Sequence, residues 1–304
     1  MIYFFLLMAL GFVLAKIGIF QKGSMPAFSA LVVKVLLPCL QMSLVFERGT
    51  TFASFALQKR FVLMQLLAYL ILTLLGILGA RVFRIRFPQR NSFTGGMVGG
   101  NFGFLFIPLI LSVFSDFQGY IPVMAAVDTC YVWTAGLLLY SQGCNHEGKG
   151  LTARTILKKL LNPMFAAILI ALVLSTFHVA LPKQVLNVIT NVGSASGTLG
   201  MLLLGANICF MNGKMTGSVG KLLGFIGIRQ ILAPLLVFVI SRPVLGSSEA
   251  LLLMLLTGIP TMTTTSLLAI EYHTDVDFAS NLVFGSTLSS LLTLPMIALV
   301  STYL

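Results

Sequence analysis

The chain has 304 residues, of which 58% are hydrophobic and only 9% charged, and its mean hydropathy is +1.01. Roughly a quarter of the residues of a soluble domain are charged, so this composition excludes a water-exposed globular surface and assigns most of the surface to lipid. The net charge of +11 does not point to nucleic acid, because the basic residues sit between apolar runs instead of along one face.

Taken in chain order, the apolar runs predict spans at 1–20, 26–47, 60–80, 92–113, 120–141, 159–178, 185–210, 221–241, 249–270 and 279–303. A helix needs about 20 apolar residues to cross a bilayer, and helices are the expected form because lipid offers no partner to an open strand edge. The alternating pattern of a β-barrel is missing. The first run lacks a basic leader and a small-residue cleavage site, so it reads as a mature span. In the second, Pro38 beside Cys39 predicts a kink. Lys34, four residues earlier, either snorkels to the cytoplasmic interface or lines a vestibule that attracts anions. Gln41 late in the second run and Asn207 late in the seventh read as interhelical hydrogen-bond partners. The four cysteines, Cys39, Cys130, Cys144 and Cys209, have no CxxC or Cys/His spacing, so neither a metal site nor a disulfide framework is expected.

The basic residues orient these spans. One side collects Lys16, Lys22, Arg81, Arg84, Arg86, Arg90, Lys149, Arg154, Lys158, Lys159, Lys214 and Lys221. The other collects Arg48, Lys59, Arg60, Lys183 and Arg242, and Lys34 and Arg229, deeper inside spans, complete the nineteen. The positive-inside rule then places both termini outside and the connection at 143–158 in the cytoplasm. That connection divides the chain into five spans over 1–142 and five over 159–304. An odd number per half inverts the second half relative to the first.

The fourth span of each half is unusual. In the first half it reads Gly95-Gly-Met-Val-Gly-Gly-Asn-Phe-Gly-Phe-Leu-Phe-Ile-Pro108, and in the second Thr257-Gly-Ile-Pro-Thr-Met-Thr-Thr-Thr-Ser266. Glycine weakens a helix and proline removes a donor. Freed backbone is tolerated at membrane depth only where it finds partners or lines a cavity. Gly/Pro-interrupted segments at matching places in two inverted halves are the best sequence pointer to a transporter's binding site. Crossed at the midplane, two such helices aim half-helix N-termini, with their unpaired N–H groups, at one point, which suits an anion. Close helix packing is the competing account of the glycines.

Several of these stretches resemble a known family. Gly100-Asn-Phe-Gly-Phe-Leu-Phe-Ile-Pro108, Asn162-Pro163 at the start of the sixth span, Ile259-Pro-Thr-Met-Thr-Thr-Thr-Ser-Leu-Leu-Ala269 and Ala279-Ser-Asn-Leu-Val-Phe-Gly-Ser-Thr-Leu-Ser-Ser-Leu-Leu-Thr-Leu-Pro295 are similar to the auxin efflux carrier family. The resemblance runs over nearly the whole chain. It implies an all-α polytopic membrane protein with ten spans in two inverted five-helix repeats and crossed broken helices as spans 4 and 9. It further implies a scaffold of spans 1, 2, 6 and 7, a moving domain of spans 3–5 and 8–10, and a homodimer through the scaffold. The short central connection departs from the plant branch, and bacterial-type members look like permeases for small carboxylates such as malate or malonate.

The candidate substrate-binding residues are Asn101, Gly100, Gly103, Pro108, Pro260, Thr263, Thr264 and Thr265. An amide can donate to a carboxylate and accept from a hydroxyl, so Asn101 serves a substrate or caps its own broken helix. The three threonines cap the second half-helix, donate inward, or both. Asp128 is the only carboxylate well inside a span, and ionisable groups at such depth are costly and functional by default. In the distantly similar sodium/proton antiporters a carboxylate and a base stand on the two helices that carry Asp128 and Arg229, so these two are expected to pair, either as a charge relay or as a static brace. Glu271, His273, Asp275 and Asp277 read as a solvated cytoplasmic loop and not as a metal site.

The function expected from these features is secondary transport of a small organic anion by elevator-type alternating access in the cell membrane. The partners expected are the substrate, membrane lipids and, through Asp128, protons. No cofactor is implied and there is no Walker motif for ATP hydrolysis. A proton- or sodium-coupled antiporter or symporter using Asp128 is one alternative, and a membrane sensor that binds without moving its ligand is another. An intramembrane enzyme is disfavoured, because a lone Asp128 and no deep histidine supply no catalytic constellation.

Overall fold

A computed structural model describes residues 2–143, 153–210 and 219–303 of the chain. It is 84% helix, with no strand among the described residues. In chain order the main helices are α1 (Ile2–Lys16), α2 (Met25–Glu47), α3 (Lys59–Val82), α4 (Gln89–Val98), α5 (Phe102–Val113) and α6 (Asp116–Ser141). They continue with α7 (Pro163–Thr176), α8 (Lys183–Phe210), α9 (Val219–Leu245), α10 (Ser247–Gly258), α11 (Thr264–Glu271) and α12 (Val276–Tyr303). Six of them, α2, α3, α6, α8, α9 and α12, are long and apolar enough to cross a bilayer unaided. Three shorter apolar pieces lie in α1, α5 and α10, and the pair Arg154–Leu160 and Pro163–Thr176 bends by 71°. Asn162 makes that bend a clean helix start: its side chain accepts from the Phe165 N–H at 3.0 Å, and Pro163 takes the first helical position. Most of the expected cytoplasmic connection, with Cys144, His146 and Lys149, lies outside the described residues, as does Lys214.

Proline positions explain where the long helices widen. Single π-helical turns occur at Val32–Leu36, Phe102–Phe106, Val132–Gly136 and Ile228–Leu232. Three of these stand just ahead of Pro38, Pro108 and Pro234. A proline ring collides with the carbonyl four residues before it and leaves that carbonyl without its donor. Those carbonyls belong to Lys34, Phe104 and Gln230, the central residues of the three π turns, so each wider turn carries the displaced carbonyl aside. The kink expected at Pro38 is therefore a π turn, and Lys34 is exposed within it. Pro243 and Pro295 sit inside helices without such a turn.

The chain separates into two compact units, residues 1–62, 103–127 and 161–212 in the first and 63–102, 128–160 and 213–304 in the second. In the first, α8 packs against α1 and α2, and α7 packs against α2. Lipid supplies no hydrophobic drive between apolar helices, so small residues that let backbones touch decide the pairing. A Cβ on Gly205 would fall 1.8 Å from the Met8 carbonyl oxygen, and one on Gly11 2.0 Å from that of Leu202, which locks α1 against α8. Gly193 does the same for α8 against the Leu40 backbone of α2. Gln41 in this unit does not make the interhelical bond expected of it. It is fully buried, and neither atom of its amide has a partner within the protein.

In the second unit a cluster of Ala80, Ile85, Phe93, Met97, Leu222, Phe225, Phe278 and Leu282 joins α3, α4, α9 and α12. Phe93 meets Phe225 edge-on, with centroids 5.3 Å apart at 76°. This cluster fixes α4 beside α9.

Gly205→Ala is expected to cost about 1–3 kcal/mol by overpacking, and so to lower the melting midpoint of the purified protein in detergent. Gly227→Ala, where a Cβ meets nothing within 4 Å, is expected to leave that midpoint unchanged.

Candidate functional site

The helix α4 stops at Val98 and α10 stops at Gly258, and the residues that follow are extended. Ile259 has φ −64° and ψ 152° because Pro260 bars the residue before it from the helical region. Gly99, at φ −71° and ψ 96°, leaves the helix in the same manner. The two stretches lie antiparallel, with Gly100 opposite Thr261. The Asn101 N–H donates to the Pro260 carbonyl at 2.9 Å, and the Met262 N–H donates to the Gly99 carbonyl at 2.9 Å. Backbone groups that each helix gives up by stopping are thus satisfied by the other.

Side chains complete the junction. Thr261 Oγ1 donates to the Gly99 carbonyl at 3.0 Å and lies 3.1 Å from Thr265 Oγ1, which in turn lies 2.8 Å from the Tyr140 hydroxyl. The Thr261 N–H donates to Ser286 Oγ on α12 at 3.2 Å. Arg229, on the π turn of α9 and only 1% exposed, donates from Nε to the Ile259 carbonyl at 2.9 Å. Its Nη1 donates to the Gly96 carbonyl at 3.0 Å and to that of Met97. Gly100 leaves room for two side-chain ends here, since a Cβ would stand 2.8 Å from Arg229 Nη2 and 2.7 Å from Ile259 Cδ1 and one of them would have to shift.

Asn101 is 2% exposed, and its side-chain Nδ2 has no acceptor within the protein. A buried donor left open in this way calls for a partner from outside the chain. Thr263 occupies the N-cap position of α11 but makes no side-chain capping bond, so the capping role expected of it is not formed. Thr264 is half-buried, and Thr265 is the threonine turned to Thr261 and Tyr140.

A second polar group in the same unit surrounds Asp128, which is 7% exposed. Its carboxylate accepts from the Tyr69 hydroxyl on α3. Tyr69 stacks on Tyr131 with centroids 5.0 Å apart, and the Tyr131 hydroxyl lies 3.0 Å from Thr73 Oγ1. The ion pair expected between Asp128 and Arg229 is not formed. Among the described residues the one ion pair is Lys159–Glu271 at 2.6 Å. The physical reason is competition, since the guanidinium is held by three carbonyls at the broken ends and the carboxylate by Tyr69.

The remaining expected residues fall elsewhere. Gly103 and Pro108 belong to the first unit. There Gly103 makes room for Leu37, 2.7 Å from where a Cβ would stand, and Pro108 lies 3.6 Å from where one on Gly197 would stand. Lys34 belongs to that unit as well. In the second unit, Asp275 accepts from the Phe278 N–H at 2.8 Å and from Gln89 Nε2 at 2.9 Å, so it starts α12. Among the described residues no three His, Cys, Asp or Glu side chains gather as a metal site. Thr261, Tyr69, Tyr140 and Ser286 are the members that sequence reasoning missed. Only Thr261 carried a signal, standing directly after Pro260 in the broken segment.

A family model described as membrane transport protein matches residues 1–298. The chain belongs to the auxin efflux carrier family. Comparison with curated proteins gives no match. Members of this carrier family are transporters, not enzymes, and the chain is accordingly a multi-pass membrane protein of the transporter class.

For this family member, Thr261→Val removes the hydroxyl that bonds the Gly99 carbonyl inside the junction. The Gly99 carbonyl keeps the Met262 N–H, so the expected cost is about 0.5–1.5 kcal/mol, seen as a lower melting midpoint in detergent. Thr263→Val, which removes no observed bond, is expected to change it little.

Proposed function

We propose that the protein is a secondary transporter that moves a small organic anion, a carboxylate of the malate or malonate kind, across the cell membrane. The observation that carries this reading is the junction of two interrupted helices, main chain to main chain, with the buried and unpartnered Nδ2 of Asn101 beside it. A carboxylate only accepts hydrogen bonds, so it complements an open N–H donor. The family supplies transport as the activity.

In this proposal the ten spans are the six long helices, the bent pair and the three short apolar pieces. They form two inverted repeats of five whose fourth members cross at the junction. Spans 1, 2, 6 and 7 act as scaffold and as the contact of a homodimer. Spans 3–5 and 8–10 carry the substrate in an elevator-type movement. The distribution of basic residues supports cytoplasmic placement of the 143–158 connection and extracytoplasmic termini. Gly100 and Pro260 shape the junction, and Thr263 and Thr264 offer hydroxyls beside it. Gly103 and Pro108 are proposed to take part in substrate binding, and Lys34 to line a vestibule that attracts anions.

Asp128 is the group proposed to carry a coupled proton. A proton needs a single carboxylate, whereas sodium needs several oxygen ligands, and Asp128 is held by one tyrosine hydroxyl. Protonation removes a buried charge, and deprotonation strengthens the bond accepted from Tyr69. Uptake of the anion with a proton is therefore driven by a pH lower on the side of entry.

Counterflow in proteoliposomes with labelled malate, malonate, succinate, lactate and indole-acetate tests the substrate class. Saturable exchange of at least one acid is expected. Asn101→Ala should weaken it about ten- to a hundredfold, the worth of a hydrogen bond to a charged group. Absence of exchange for every acid with folded protein overturns the organic-anion reading. In Asp128→Asn, exchange at equal pH should persist while accumulation driven by a pH gradient is lost. Accumulation that survives this substitution removes the proton from Asp128.

A further inference from the structure

Arg229 is bound to an unusual set of groups. A buried arginine normally meets a carboxylate or phosphate, because an unpaired charge in a low dielectric is costly. Arg229 makes no ion pair, and its Nε and Nη1 donate to the carbonyls of Gly96, Met97 and Ile259. Gly96 and Met97 belong to the last turn of α4, and Ile259 immediately follows α10. These oxygens are the orphan acceptors at the C-terminal ends of two helices, where the macrodipole concentrates partial negative charge. One guanidinium therefore neutralises the negative ends of both interrupted helices at once.

Three main-chain carbonyls converging from two chain segments resemble the donor set that dehydrates and holds a small cation. Here that set is already filled by a cation covalently fixed to α9. Two features of the sequence make room for it. Pro234 displaces the Gln230 carbonyl into a π turn, and that turn carries Arg229. Gly100 leaves open the space where a Cβ would come within 2.8 Å of Nη2.

We infer that Arg229 is a resident counter-ion occupying the place a coupling metal cation would otherwise take at the meeting of the two breaks, so that transport does not require sodium. The inference deepens the reading of this junction as a carrier site and rests on it for the transport measurement alone. Its structural content, a carbonyl cage that needs a positive charge, stands apart from any substrate. Removal of the arginine side chain should leave a latent site for a free monovalent cation, best filled by guanidinium itself.

The test uses full-length protein with Arg229→Ala, Arg229→Lys and Arg229→Gln, in choline, sodium, potassium or millimolar guanidinium chloride. Melting midpoints in detergent, without substrate, read the cage. Counterflow in proteoliposomes reads the cycle. Wild type should behave alike in choline and sodium by both measures. Arg229→Ala should melt lower in choline, and guanidinium should raise its midpoint while leaving wild type unmoved. Arg229→Lys, with one charge and three donors for three carbonyls, should keep most of the stability, and neutral Arg229→Gln should not. If Arg229→Ala does not fold, the Lys and Gln variants decide alone. Gln as stable as Lys overturns the inference, since donors without charge then suffice. Wild-type counterflow that depends on sodium overturns it as well, as does an Arg229→Ala protein that equals wild type in choline. Failure of every acid to exchange, with guanidinium still rescuing the midpoint of Arg229→Ala, sinks the organic-anion reading and leaves the resident counter-ion standing.

Discussion

A helix that stops within a bilayer releases N–H and C=O groups that no water is present to satisfy, and each unsatisfied group costs several kcal/mol. The second unit of this protein has two buried helix stops, at Gly99 and at Ile259, and one arrangement serves both. The two released stretches pair with each other through Asn101 to Pro260 and Met262 to Gly99, and Arg229 takes the carbonyls that remain. Nearly every other polar contact nearby follows from this arrangement. Thr261, Thr265 and Tyr140 form a chain of hydroxyls leading away from the Gly99 carbonyl. Gln230, next to Arg229, is fixed by donating to the Ser286 carbonyl at 2.6 Å, and Ser286 Oγ accepts from Thr261.

Glycine and proline play different parts in this economy. The prolines 38, 108 and 234 each generate a π turn by displacing one carbonyl, and so set the direction of the residues around it. The glycines supply distance. Gly205, Gly11 and Gly193 bring helix backbones together in the first unit, whereas Gly100 leaves space for a guanidinium in the second. A glycine-rich stretch in a membrane chain thus reads as close packing in one place and as a polar junction in another. The carbonyls freed nearby tell them apart.

Asp128 shows how a buried charge can be held without an opposite one. Its carboxylate takes the Tyr69 hydroxyl, Tyr69 is positioned by stacking on Tyr131, and Tyr131 is tied to Thr73. This group and the Arg229 group share no hydrogen-bond partner.

The sequence by itself determined the membrane-embedded helical character, the family and the two interruptions. These are legible because a scarcity of charge and local runs of Gly, Pro and hydroxyl residues act on the chain wherever they occur, whatever packs beside them. The tertiary structure alone decided which groups meet. Counting charges predicts a bond between Asp128 and Arg229, because they are the two opposite charges deep in the chain. Such a count omits the carbonyls that a broken helix exposes, and those carbonyls took the arginine. Nothing local to Tyr69 or Tyr140 marks them out, and Ser286 lies in a family-like stretch that does not single it out, since the partner of an aromatic or a serine on a membrane helix is set by the rotation and depth of that helix against its neighbours. Gln41 failed its expected bond for the same reason: a side chain's partner is set by the facing helix, and the linear sequence does not say which helix faces it.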